Sequence, residues 1–310
     1  KRPANRKPDM GGRTVSDSFT PIDPKLVDVP LNEESGYSEA LAAADTPDAM
    51  RDACGAAARE FPKSMWIDAK DRKDKAREND KNKTWGFNYL SRYTNQSPSH
   101  ECTCHALRAS AEACRNRHRG INFPDGPVKG FRYEESSLGD VFLTPMSVYP
   151  IANPRRYGGA GCIQVLNISC NTGFLPDKIQ PRDYGFKHQL HGTSGKGNNN
   201  QSNGPWITER NFPEGWKETA KHFKPKEIVV TDDWEQALCM LLHGIVLGYG
   251  RDGHAIPPSG WNAASDVYRY DDSYDRTLYD SASTFRRACR SGVYGIITMT
   301  TPDNWLKPAG

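Results

Sequence analysis

The sequence predicts an α+β chain in which helices come first and strands follow. Three observations carry that reading. Small and apolar residues recur at helical spacing across 46–60 and again from Cys102 to about Arg117. Beyond residue 245 the period falls to that of strands, in Ile245–Leu247, His254–Ile256, Val267–Tyr270 and Val293–Met299. The two kinds of segment are grouped, not alternated, which disfavours a βαβ architecture.

Residues 1–37 are polar, rich in Pro, Asp, Arg and Lys, and lack apolar periodicity. They read as an extended arm, either mobile or ordered by a partner. Thr46, Pro47 and Asp48 form a helix start: a capping oxygen, a proline in the first turn, and an acid at the positive end of the dipole. Met50, Ala53, Cys54 and Ala57 supply its apolar stripe, and the helix is expected to reach about Glu60, before Phe61 and Pro62. The mixed charges from Asp68 to Lys83 fit a solvated helix or loop. An aromatic-rich stretch from Trp85 to Tyr93 leads into a polar segment at Gln96, and good helix formers dominate from Cys102 to Arg117. Leu143–Tyr149 and Ala160–Ile168 read as two further helices, His191–Gly204 as an exposed Gly/Asn-rich loop, and Trp234–Leu242 as a short amphipathic helix opened by Thr231, Asp232 and Asp233.

Composition bounds the function classes. A chain of 310 residues can build one large domain or two lobes. Apolar residues make up 36%, and Gly and Pro number 27 and 22, so the core is modest and the loops long. A net charge of +3 is too small to point by itself to nucleic acid or a membrane surface. No apolar run is long enough for a transmembrane helix, and no secretory leader is visible. Localisation stays open between cytoplasmic and virion-associated settings. Eight cysteines permit bridges without demanding them. No P-loop or dinucleotide fingerprint occurs, so no cofactor is expected. A zinc site built from Cys102, Cys104, His105, Cys114 and His118 would lack paired Cys-x-x-Cys spacing and would load most ligands onto one helix. No metal is therefore assigned.

The remaining chemistry is that of a thiol. A cysteine is a useful nucleophile only as thiolate, and a helix N-terminus and a nearby imidazolium both favour that form. Cys102 and Cys104 sit where a polar loop enters a helix. A base must come from elsewhere, and His254 lies 152 residues downstream in a Gly-flanked strand context. A third group should orient that imidazole; Asp272 lies 18 residues further on, with Asp271 and Asp275 close by. Gln96, ahead of the thiol, carries an amide able to donate to a developing oxyanion.

These residues resemble the papain-like cysteine peptidases. That family carries an Asn/Asp-Gln dipeptide with the nucleophilic Cys six residues after the Gln, as in Asn95, Gln96 and Cys102. Thr103, Cys104, His105 and Ala106 fit the positions that follow. Leu143–Tyr149 resembles the family's Leu-Ser-x-x-x-x-Tyr helix, Gly158–Gly161 with Leu166 its Gly-Gly turn and helix, and Gly173–Asp177 its Gly-aliphatic-x-x-acid segment. Gly253–Ile256 is similar to the catalytic-His strand, and Asp272, Ser273 and Tyr274 stand where the family has Asn-Ser-Trp. The order holds from about Trp85 to Met299. Three departures stand out: Ser97–Glu101 replaces the Gly-rich stretch before the Cys, Asp272 replaces Asn, and Thr103 and Tyr274 replace two Trp.

The resemblance implies a two-lobed papain-like fold, a helical lobe at about 85–190 followed by an antiparallel β-barrel-like lobe at about 225–305. Residues 1–60 would form an N-terminal arm with one helix, outside a domain of 61–310. It also implies a thiol hydrolase acting on peptide or isopeptide bonds, with Cys102, His254 and Asp272 as triad and Gln96 at the oxyanion hole. Under it Cys104 is the small residue packed beneath the site, although the thiol chemistry alone leaves Cys104 open as nucleophile. The alternative is a structural or assembly protein, such as a virion component, that keeps the fold with weak or no catalysis and meets neighbouring subunits through its arm. Neither reading expects a nucleic-acid or membrane partner.

Overall fold

A computed structural model describes residues 22–31, 43–91, 93–94, 101–127, 143–144, 148–152, 159–176, 212, 214–274 and 276–300. Helix α1 (Pro47–Cys54) begins as its sequence dictates: the Thr46 hydroxyl accepts from the Ala49 N–H at 3.3 Å. It stops short of Glu60 because Gly55 turns to a positive φ of 52°. A 3₁₀ turn, Gly55–Ala57, then delivers strand β1 (Ala58–Arg59). Helix α2 (Arg72–Asn82) is the solvated helix expected from the charge run, with only Arg72, Ala76 and Asn79 buried.

Helix α3 (Cys102–His118) is the axis of the molecule. Every residue from Cys102 to Asn116 is buried. The expected helix at Leu143–Tyr149 is corrected. Leu143 and Thr144 form strand β2, paired antiparallel with β3 (Leu175–Pro176), and a short helix α4 spans Tyr149–Ala152. The reason is Pro145, whose ring disfavours helical backbone at Thr144. Helix α5 (Cys162–Asn171) and helix α6 (Trp216–Ala220) follow.

The C-terminal part holds most of the strands. These are β4 (Pro225–Thr231), β5 (Leu247–Arg251), β6 (His254–Ile256), β7 (Pro258–Asn262), β8 (Val267–Asp272), β9 (Arg276–Ser281) and β10 (Val293–Met299). Helix α7 (Trp234–Leu242) and helix α8 (Ala282–Cys289) interrupt them. A five-stranded sheet runs in the order β1-β4-β10-β5-β6, and a three-stranded sheet in the order β7-β8-β9. Side chains alternate across the larger sheet. Ile228, Val230, Tyr294 and Ile296 pack into one core with α1, α3 and α5, whereas Val229, Leu247, Tyr249 and Val293 pack into another with α7 and α8. The sheet is therefore covered on both faces. Gly248 lies opposite Tyr294, where a Cβ would fall 2.3 Å from the tyrosine hydroxyl, so only glycine admits that ring.

Residues 22–31 are not a detached arm. Val27 bridges Tyr279 of β9, Asp28 N–H donates to the Tyr279 carbonyl at 2.8 Å, and Arg251 donates to the Val29 carbonyl at 2.6 Å. The element that orders this stretch is the chain's own β9.

Hydrogen bonds seat α3 against its neighbours. The Ser110 hydroxyl donates to the Val246 carbonyl at 2.7 Å and accepts from Ile296 N–H at 3.2 Å, pinning the helix to the sheet. The Glu112 carboxylate accepts from Ser91 N–H and hydroxyl, from Arg108 and from Leu143 N–H. It thus ties α3 to β2 and to the chain that leads toward Gln96. Removing one member of such a buried ionic cluster costs about 3–5 kcal/mol. Glu112→Ala is expected to lower unfolding stability by that order in urea titration; a loss below about 1 kcal/mol would show that the cluster does not organise the fold.

Candidate active site

The site is assembled by local sequence chemistry. Cys102 is the first residue of α3, so its backbone N–H belongs to the unsatisfied first turn. His254 is placed by the β5–β6 hairpin. Asp252 and Gly253 both have positive φ, 46° and 75°, the pattern of a two-residue type I′ turn. That turn fixes the register in which Arg251 pairs with His254. β6 lies against β8, whose last residue is Asp272.

His254 and Asp272 meet in a buried pair, with Nε2 of the ring 2.7 Å from Oδ1 of the carboxylate. The other carboxylate oxygen accepts from Nε of Arg276 at 2.8 Å. Arg276 is the direct cross-strand partner of Asp272. The Ser273 hydroxyl approaches both members at 3.5 Å. Tyr274 stacks on the imidazole, with centroids 5.5 Å apart and planes 28° apart, and the Arg276 guanidinium lies 5.6 Å from the tyrosine ring. The pair is thereby walled on one side by an aromatic face.

The Cys102 thiol acts on the same ring. Burial alone would drive His254 toward its neutral form; the Asp272 hydrogen bond, the contact and charge of Cys102, and the Asp272 charge outweigh it and hold the imidazole up at about 9. Asp272 shows the converse balance. Burial pushes its carboxyl up, and the His254 hydrogen bond and charge, followed by those of Arg276, bring it below the usual range.

The adjacent acids separate by strand alternation. Asp271 points away from His254 and accepts from Ser259, Arg269 and Thr277. Thr277 in turn contacts the Tyr93 hydroxyl at 2.5 Å, linking the segment that leads to Gln96 with β9. Gln96 itself lies outside the described residues, as does Asp275. Cys104 is fully buried, and burial together with the Glu101 and Cys102 charges pushes its thiol well up, which suits a packing residue. His105 is buried on the first turn of α3, with Nε2 3.1 Å from Oε1 of Glu101. Sequence reasoning missed Glu101 and Arg276. Arg276 is signalled only by the register of the β8–β9 hairpin, and Glu101 only by its place immediately before Cys102.

Among the described residues, no group of three or more His, Cys, Asp or Glu could hold a metal ion, and no helix is long and apolar enough to cross a membrane. A surface cavity of about 490 Å³ lies elsewhere, between α1, α4 and α5, and none of Cys102, His254 and Asp272 lines it. The pairing geometry, not the cavity, marks the chemistry.

No protein-family model matches the chain, and no curated protein does. Among solved structures it is similar to xylellain, a cysteine protease from Xylella fastidiosa, at 14% identity and a TM-score of 0.46, over 68% of this chain and 83% of that one.

The raised His254 group has a linkage consequence. Its folded-state pKa lies above its unfolded value, so its stabilising contribution is complete below about 6.5 and is lost as pH rises through about 9. Unfolding free energy is expected to fall over that window by an amount on the order of a few kcal/mol. In Asp272→Asn the fall should flatten, because burial then prevails over a weaker hydrogen bond. Equal slopes in urea titrations of both proteins across this window would contradict the assignment.

Proposed function

We propose that this chain is a thiol-dependent hydrolase of peptide or isopeptide bonds, built on a two-lobed papain-like plan. The observation that supports it best is the buried His254 imidazole, paired through Nε2 with Asp272 and held in its charged form with help from the Cys102 thiol. In this reading the Cys102 thiolate attacks the scissile carbonyl and the carbonyl electrons move onto oxygen. The Cys102 backbone N–H and the Gln96 amide stabilise that oxyanion. Collapse expels the amine, which takes its proton from the His254 imidazolium, and leaves an acyl-thioester on Cys102. Water, deprotonated by the now neutral His254, hydrolyses the thioester and restores the thiol–imidazole pair. Asp272 holds the ring in the tautomer this cycle needs, and Arg276 occupies the carboxylate oxygen that would otherwise turn elsewhere.

A second reading rests on one observation: Cys102, His254 and Asp272 expose 0%, 1% and 1% of their surfaces. An assembly protein that keeps the papain-like plan with a closed cleft would show such burial. Iodoacetamide labelling near neutral pH separates the two. An active site labels Cys102 at least tenfold faster than Cys104 or Cys114, and His254→Ala slows Cys102 to the rate of an ordinary thiol. Cys102 labelling no faster than Cys104 in the folded protein would reject the hydrolase and leave the closed-cleft reading.

The leaving amine needs a protonated His254, so the alkaline limb of any hydrolysis should fall near the pH of about 9 at which the ring deprotonates. Asp272→Asn should move that limb toward acid, because the carboxylate charge that supports the imidazolium is gone. A limb that stays in place would remove Asp272 from the proposed role.

A further inference from the structure

The aromatic stretch ahead of Cys102 is held from two directions. On one side it is fastened to α3. Ser91 donates its N–H and its hydroxyl to the Glu112 carboxylate at 2.9 and 2.7 Å, and the Asn116 amide donates to the Tyr89 carbonyl at 2.9 Å. On the other side it reaches the three-stranded sheet. The Tyr93 hydroxyl lies 2.5 Å from the Thr277 hydroxyl of β9, and the Arg269 guanidinium of β8 sits 3.7 Å from the centroid of the Phe87 ring. Both of these contacts converge on one buried carboxylate, that of Asp271. Thr277 donates to its Oδ1 at 2.9 Å, Arg269 donates to the same oxygen at 2.9 Å, and Ser259 of β7 donates to Oδ2 at 3.1 Å.

The relay from Tyr93 has a direction. A hydroxyl carries one proton and can accept as well. Thr277 gives its proton to the carboxylate, so its oxygen accepts from the Tyr93 O–H. Burial, followed by the Asp271 charge, pushes the Tyr93 phenol up and keeps that donor proton in place.

We propose that Asp271 is a positioning residue of the candidate site, clamping the stretch that seats α3 and Cys102 to the strand that carries Asp272. Its part in catalysis rests on the hydrolase reading, whereas the clamp is argued from hydrogen bonds that hold whether or not the chain cleaves anything. Asp271 and Asp272 are consecutive on β8, so strand alternation turns their carboxylates to opposite faces. One accepts from the His254 ring at 2.7 Å; the other gathers Thr277 and Arg269 and, through them, Tyr93 and Phe87. Any twist or slide of β8 therefore moves the imidazole's partner and the aromatic stretch together. Cys102 begins the helix to which that stretch is fastened, nine residues beyond Tyr93. The two halves of the site are joined through a side chain that faces away from the imidazole.

Asp271→Ala would leave the largely buried Arg269 without its carboxylate and endanger folding, so the test cuts the relay at its outer links. In the full chain, Tyr93→Phe and Thr277→Val each remove one hydroxyl, and Thr277→Ser keeps it. The first readout is the titration of the His254 ring by NMR. The Cys102 thiol helps to hold that ring charged up to about 9. Tyr93→Phe and Thr277→Val are expected to lower its midpoint by about one unit as the thiol shifts away, and Thr277→Ser to leave it in place. The second readout is peptide hydrolysis, where the same two variants should lose roughly tenfold or more in kcat with KM within about twofold. Tyr93→Phe combined with Thr277→Val should lose no more than either alone, because both cut one relay. A His254 midpoint that stays put in both variants overturns the clamp, even if their thermal stability falls. A moved midpoint with kcat unchanged in a cleaving chain overturns the positioning role. A moved midpoint in a chain that cleaves no peptide leaves the clamp standing and rejects the hydrolase instead.

Discussion

The constraint on which the structure depends is the burial of α3. A helix wrapped on all sides cannot leave its polar side chains to water, so each must find a protein partner. Ser110 donates to the Val246 carbonyl just ahead of β5 and accepts from Ile296 N–H of β10, Glu112 gathers three donors from two flanking segments and a fourth from Arg108 of α3 itself, and Asn116 donates to the Tyr89 carbonyl. These bonds fix the rotation and the height of the helix. Cys102, at its first residue, inherits that position. The thiol is therefore placed by interactions two to four turns away, and the β5–β6 hairpin brings the imidazole to it.

Charge explains why the pair persists inside the protein. Burial opposes an imidazolium and a carboxylate separately, and neither would stay ionised there alone. Together they offset that penalty, and Arg276 and Ser273 supply contacts to the carboxylate that His254 does not. An amide in place of Asp272 would keep a hydrogen bond and forfeit the charge. The aspartate therefore makes the imidazolium more persistent toward alkaline pH than a neutral partner would.

The sequence was most legible where one local rule decided the outcome. The entry at Thr46–Pro47, the long helix from Cys102 and strands β6, β8 and β10 follow from capping and period alone. The His254–Asp272 pair was expected from the family resemblance of the ordered motifs, not from capping or period. Illegibility begins where tertiary context or a neighbour overrides a pattern. Thr144 looks helical until Pro145 is considered, Gly55 ends α1 two turns early, and the α+β grouping hides β1, which pairs in parallel with β4 although it precedes α3. The ordering of residues 22–31 was invisible because it rests on backbone bonds to β9, not on apolar residues of its own. Arg276 escaped notice because a cross-strand pair is set by register, which spacing from His254 does not reveal. The α+β class stands.

The central claim is that Cys102 cleaves acyl bonds with His254 as its acid and base. The most direct measurement is cleavage profiling, in which a complex peptide digest is incubated with the folded protein at neutral pH and new termini are read by mass spectrometry. The account expects cleavages with the wild-type chain that vanish with Cys102→Ala. Cleavages that persist in Cys102→Ala, or a folded wild-type chain that produces none, would contradict it.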